Sequence, residues 1–152
     1  EDVATMESMT IALAADHAGV DLKKLLSDEI EEMGFNVIDL GTNSTESVDY
    51  PDYAFKMATC IADQKADFGV LICGSGIGVS IAANRFKHIR AALCAEAISA
   101  HFARAHNDAN VLVLGSRFIG TEIAKACVQT FLTTDFDGGR HLERVAKLNK
   151  IG

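Results

Sequence analysis

The hydrophobic positions of this chain fall into two kinds of run. Short, nearly continuous apolar stretches occupy residues 10–15, 36–40, 68–73, 90–94 and 110–115, several of them rich in Ala, Val, Ile and Leu. Such runs predict parallel strands buried on both faces, because a strand with one wet face alternates instead. Longer stretches with apolar residues three and four apart lie between them. These predict helices over 20–33, 51–64, 79–86, 97–106, 121–133 and 141–150. In the first, Leu22, Leu25, Leu26, Ile30 and Met33 share a stripe, and Gly34 follows as a stop. Pro51, the one proline, opens the second, where a missing N–H costs little.

Strand–helix alternation of this kind predicts an α/β fold, a Rossmann-like three-layer α/β/α sandwich around a five-stranded parallel sheet with right-handed crossovers. No linker, repeat or low-complexity tract interrupts it, so residues 9–152 are expected to form one domain. Residues 1–8 are polar and acidic, without the basic and apolar regions of a secretory signal, and are expected to be a leader or cloning remnant. No run approaches the roughly 18 apolar residues of a membrane span. The net charge of -7 argues against nucleic acid or an anionic membrane as partner, although a few local arginines could still hold a phosphate. Cys60, Cys73, Cys94 and Cys127 show neither a C-x-x-C pair nor a zinc-like spacing with histidine, which suits a reduced, cytoplasmic protein.

Ligands of doubly wound sheets bind beyond the carboxyl ends of the strands, so function is sought in the loops. After the first strand comes Asp16-His17-Ala18-Gly19, and after the third Cys73-Gly74-Ser75-Gly76-Ile77-Gly78. The remaining polar loops are Asp49-Tyr50-Pro51, His106-Asn107-Asp108, Gly115-Ser116-Arg117 and Gly138-Gly139-Arg140-His141, with Arg144 one helical turn further on. Alternating glycines ahead of a helix expose consecutive N–H groups, an anion site for a phosphate or for an oxyanion formed during reaction. Cys73 sits at the lip of that loop, where amide dipoles favour a thiolate able to act as base or nucleophile. A strand-end cysteine without chemistry is the competing reading; a buried structural thiol, however, has no need of an anion nest.

His106 lies at a predicted helix C-terminus, whose field favours the imidazolium; an exposed helix-end histidine would look the same. Arg117, Arg140 and Arg144 have the guanidinium forks that match phosphate oxygens, although most arginines are ordinary surface residues. Arg140 stands out because two glycines shape its loop, and His17 could add a fourth donor. Asp16 reads equally well as a helix N-cap or a catalytic carboxylate. His88 and His101 lack polar company and are read as structural.

Together these loops resemble the ribose-5-phosphate isomerase type B family, which also includes galactose-6-phosphate isomerase subunits and enzymes acting on allose 6-phosphate. The resemblance runs in the family's order from about residue 10 to 145 and adds Gly41-Thr42 and Ala82-Ala83-Asn84 to the loops above. It implies an aldose–ketose isomerase that interconverts ribose 5-phosphate and ribulose 5-phosphate through an enediolate, in the pentose phosphate pathway. Cys73 would move the proton from C2 to C1, and Ser75 would hold and polarise the thiol. His106, helped by Asp16, would open the sugar ring. Amides of the loop at Gly74, Gly76 and Gly78 would stabilise the enediolate. His17, Arg117, Arg140 and Arg144 would hold the phosphate, while Tyr50 and Asn107 would line the sugar pocket. No metal and no cofactor are implied. One branch of the family carries a glutamate base where this chain has Val79, so the chain resembles the cysteine branch. The resemblance further implies a homodimer with shared active sites, or a tetramer.

Three alternatives compete. A related hexose 6-phosphate isomerase would use the same chemistry in a deeper pocket. A nucleotide-binding protein would use Gly74-x-Gly76-x-Gly78 as a dinucleotide fingerprint with Glu96 on the ribose, but the third glycine is one residue early and the loop follows the third strand. A cysteine phosphatase would need an arginine within residues 74–80, and there is none.

Overall fold

Five short strands carry the polypeptide through the core: β1 (Thr10–Ala15), β2 (Asn36–Asp39), β3 (Phe68–Cys73), β4 (Ala91–Leu93) and β5 (Val111–Gly115). They belong to a computed structural model that describes residues 9–151, so the expected leader at 1–8 lies outside the described residues. All strand pairings are parallel, in the order β2-β1-β3-β5-β4. The helices are α1 (Val20–Glu32), α2 (Tyr50–Ala62), α3 (Ile77–Ala83), α4 (Ala97–Ala105), α5 (Thr121–Thr133) and α6 (Arg140–Lys150). The predicted three-layer α/β sandwich is the observed one.

Both faces of the sheet are covered, and the two-residue period of a strand divides the core. Val70 and Ile72 of β3 join Ile11, Leu13 and Leu112 in a cluster with Leu26 and Ile30 of α1, Ala100 of α4 and Val128 and Phe131 of α5. Leu71 and Cys73, one residue out of phase, join Ala12, Ala14 and Val113 against Met57 of α2 and Val79 and Ala83 of α3. Each large side chain taken fully out of water contributes about 1.5–3 kcal/mol, which is why the continuous apolar runs become strands.

The differences from the predicted boundaries have local causes. The fourth strand is only three residues long, at the sheet edge. The third helix begins at Ile77 rather than at 79, because Gly76, at φ 80°, turns the chain at once. A short 3-10 turn, His17–Gly19, precedes α1, opened by the Asp16 side chain accepting from the Ala18 N–H.

One polar side chain is built into this frame. Lys23 of α1 is 1% exposed, and its Nζ donates to Asp39 Oδ1 at 2.6 Å and to Asn43 Oδ1 at 2.8 Å. Asp39 Oδ1 also accepts from the Gly41 N–H. Burial raises the Asp39 carboxyl, but the bond from Lys23, the Gly41 amide and the Lys23 charge outweigh it and hold the group below its usual range. A carboxylate lowered in the folded state adds stability above its unfolded value, near pH 4, and loses it as the pH falls through the lowered one. Half the pair is open to water, so the contribution is small. Wild type should therefore exceed Lys23→Met in unfolding free energy by about 1 kcal/mol or less at neutral pH. Urea titrations should show that gap closing as the pH falls below the ordinary carboxylate range, about pH 4.

Candidate functional site

The chain leaves β1 toward β2 on one side, while β3 and the strands after it lie on the other. The crevice between the carboxyl ends of β1 and β3 is therefore the switch point of this sheet. A cavity of about 280 Å³ opens there, lined by Asp16, His17, Tyr50, Cys73, Ser75 and Arg117 among others.

Each side chain is fixed by the backbone turn that carries it. Cys73, the last residue of β3, is 5% exposed and accepts from the Gly76 N–H at 3.1 Å on Sγ. An amide aimed at sulfur stabilises negative charge on it. Ser75 Oγ accepts from the Ile77 N–H, which leaves its own O–H to donate elsewhere. Asp16 is buried and uses Oδ1 to cap Ala18, so one carboxylate oxygen holds the turn. His17 Nδ1 accepts from the Val48 N–H at 3.2 Å. An amide can only donate, so the neutral ring carries its proton on Nε2. Ser116 Oγ donates to the Ala18 carbonyl and ties the end of β5 to the same loop.

The glycines of the loop leave volume for these side chains. A Cβ on Gly74 would stand 3.1 Å from Arg117 Cζ, and one on Gly78 would stand 2.6 Å from the Tyr50 ring. The loop thus accepts an arginine and a tyrosine against its backbone; a side chain at 78 would displace the Tyr50 ring, and one at 74 would make Arg117 shift slightly.

The remaining residues singled out in the sequence stand elsewhere. His106 and Asn107 follow α4 and precede β5, at the amino end of that strand, whereas Cys73 pairs with Gly115 at its carboxyl end. Five strand residues separate those ends by roughly 17 Å. His106 caps the C-terminus of its helix as the sequence predicts, and a helix that leads into a strand delivers its last residues to the opposite edge. Asn107 lines a different cavity, beside Ile89 and Arg90. Arg140 and Arg144 lie exposed on α6.

This second group has its own order. His106 and His141 stack with ring centroids 4.3 Å apart, and His106 Nε2 is 3.9 Å from Asp137 Oδ2. Desolvation, His106, Arg140 and Arg144 hold His141 below its usual value, so its ring is neutral at pH 7. Ligand atoms of His106, Asp137 and His141 lie within 4.8 Å of one another, a grouping able to hold a metal ion, although the two guanidiniums oppose a cation there. Arg104 fixes the surroundings. It is 6% exposed, donates to Asp108 Oδ1, the Ala109 carbonyl and the Thr134 carbonyl, and stacks on Phe68. Arg104 and Lys23 are not among the residues the loops single out; a charged residue within an apolar helical pattern is the signal that marks both.

The other cysteines have no such setting. Burial, with Cys127 and Glu96 nearby, pushes Cys94 up to about 12, and burial likewise raises Cys60 and Cys127. All three stay thiols at neutral pH.

Known proteins resemble this chain over almost its whole length. A family model described as Ribose/Galactose Isomerase matches residues 11–148. The chain is similar to ribose-5-phosphate isomerase B of Escherichia coli K12, 48% identical over 141 residues that make up 93% of this chain and 95% of that one. The crystal structure of a ribose 5-phosphate isomerase from Thermotoga maritima matches with a TM-score of 0.91 at 52% identity, over 94% of this chain and 99% of that one. The enzyme of Anaplasma phagocytophilum matches with a TM-score of 0.88 at 51% identity, over 94% and 98% of the two chains. With most of its length matched by the family model and by relatives of such identity, the chain belongs to the ribose/galactose isomerase family.

Proposed function

We propose that this protein interconverts ribose 5-phosphate and ribulose 5-phosphate, with Cys73 as the base. The observation that carries the assignment of the base is the Gly76 amide set 3.1 Å from Cys73 Sγ at the wall of a cavity that also holds Asp16, His17 and Arg117. Val79, where a glutamate base would stand, is fully buried among the apolar residues of α3.

The chemistry follows from these groups. Asp16 and His106 exchange the protons that open the sugar ring to the aldehyde. Cys73 thiolate takes the proton from C2, and the electron pair moves through C1=C2 onto O1. Amides of the 74–78 loop stabilise this enediolate, the kind of contact whose loss typically costs about 3 kcal/mol of barrier. The O2 proton passes to O1, the thiol returns its proton to C1, and the ketose leaves. The Ser75 hydroxyl is available to hold the sulfur or O1. His17, through Nε2–H, and Arg117 hold the phosphate from the cavity wall.

His106, Asn107, Arg140 and Arg144 reach this cavity from a second copy of the chain. Their place at the opposite edge of the sheet supports that reading. So do exposed apolar side chains beside both groups, Ile77 next to Gly76 and Phe102 against His106. Four unpaired, buried cysteines suit a reducing cytoplasm. Among the described residues, no helix is long and apolar enough to cross a membrane.

Cys73→Ala should retain the fold and lose at least about a thousandfold in kcat for ribose 5-phosphate with chelator present; an active variant would move the base elsewhere. Equimolar refolding of inactive Cys73→Ala with inactive His106→Asn should restore about a quarter of wild-type activity, since half the dimers are mixed and each has one intact site. No recovery would place both groups in one subunit's site. Iodoacetamide at neutral pH should label Cys73 ahead of the other three, in step with loss of activity, as read by peptide mass spectrometry.

A further inference from the structure

Lys23 lies outside the cavity, yet it is among the most deeply buried polar side chains described. A lysine is almost never fully buried unless paired, and here the pairing is directed at one segment, the loop between β2 and α2. Its Nζ holds Asp39 and Asn43 at 2.6 and 2.8 Å, and Asp39 in turn holds the Gly41 N–H. The Gly41 carbonyl and Thr42 N–H pair with Ala15, immediately before Asp16. Beyond Asn43 the loop is exposed, and the hydrogen bonds of Ser44 and Glu46 stay within it. Its far end returns at Val48, whose N–H meets His17 Nδ1. The loop thus hangs between two polar anchors, Asn43 on Lys23 and Val48 on His17.

We propose that Lys23 is a positioning residue for the phosphate end of the site. Through Asn43 and the 43–48 span it holds the Val48 amide against His17 Nδ1, which keeps the His17 proton on Nε2, facing the substrate phosphate. The half-exposed Asp39 limits what the pair adds to stability, so the geometry of the loop is its main product. The last link, from His17 to phosphate, rests on the proposed isomerase function; the link from Lys23 to the His17 tautomer does not.

Two variants cut the tie from either end: Lys23→Met, and Asn43→Ala, which leaves the buried lysine in place. Long-range proton–nitrogen NMR of the histidine rings in the full-length protein should show His17 as the Nε2–H tautomer in wild type and as a mixture in both variants. In steady-state assays with ribose 5-phosphate, both variants should raise KM about five- to tenfold while kcat stays within twofold, the size expected for one displaced hydrogen bond. In a His17→Asn background the Lys23 substitution should add nothing further to KM. An unchanged His17 tautomer, or a KM effect that simply adds to that of His17→Asn, would overturn the proposal. If ribose 5-phosphate is not a substrate, the assays fall with the proposed function and the tautomer measurement decides alone; should Lys23→Met not fold, Asn43→Ala carries both readouts.

Discussion

At the carboxyl end of β3 a buried strand must become a helix within four residues, while leaving a sulfur atom in reach of a ligand. That requirement governs the site. The chain has room to turn only where side chains vanish, and it does so at Gly74, Gly76 and Gly78. The same turn swings the Gly76 N–H onto Cys73 Sγ. Neighbouring loops then close around the space: the Asp16 turn from β1, Arg117 from β5, and Tyr50 from the start of α2. The sheet supplies the rigidity, because Ala15 pairs with Ile72 and Cys73 with Gly115 in adjoining parallel ladders. A side chain held by strand ends in this way is positioned by the whole core, at no extra cost to the loops.

The polarity of a parallel sheet accounts for the other half of the arrangement. Residues that follow strands gather at one edge, and residues that precede them gather at the other. Cys73 and His106 are in the chain on opposite sides of their respective strands. No adjustment of side chains can bring them together within one copy. Arg104 keeps the second group ordered where it stands, by tying the turn at Asp108 to the carbonyl of Thr134 ahead of Asp137. Each of the two groups is held in place by its own buried cation, Lys23 beside the first and Arg104 beside the second.

Much of this was legible in the sequence, for physical reasons that also mark where legibility ends. Strands buried on both faces leave unbroken apolar runs, which placed β1, β3 and β5; the partly exposed edge strands β2 and β4 still carry short apolar runs, and amphipathic stripes placed the six helices. The start of α3 was missed by two residues because Gly-x-Gly hides a helix N-terminus from any pattern of side chains. Cys73, Asp16, His17, Tyr50 and Arg117 were singled out and do meet at one cavity. His106 was read at a helix C-terminus and stands there, but its distance from the Cys73 loop depends on chain direction through the sheet, which no local pattern of side chains records. Lys23 and Arg104 were overlooked because their partners, Asp39, Asn43 and Thr134, are remote in the chain and carry no pattern of their own.

Gly74 and Gly78 are small on behalf of other residues: a methyl group at 78 would meet the Tyr50 ring at 2.6 Å, and one at 74 would make the Arg117 guanidinium give by a few tenths of an ångström. The constraint is therefore conditional. An alanine at position 78 is incompatible with tyrosine at 50 in its present place, yet becomes admissible once that ring is replaced by something narrower. Such pairs make the mutational landscape of the loop rugged, with changes that are harmful singly and tolerated together. They tie the identity of the backbone turn to the shape of the ligand space it surrounds, so that altering what fits in the cavity requires two coordinated substitutions rather than one.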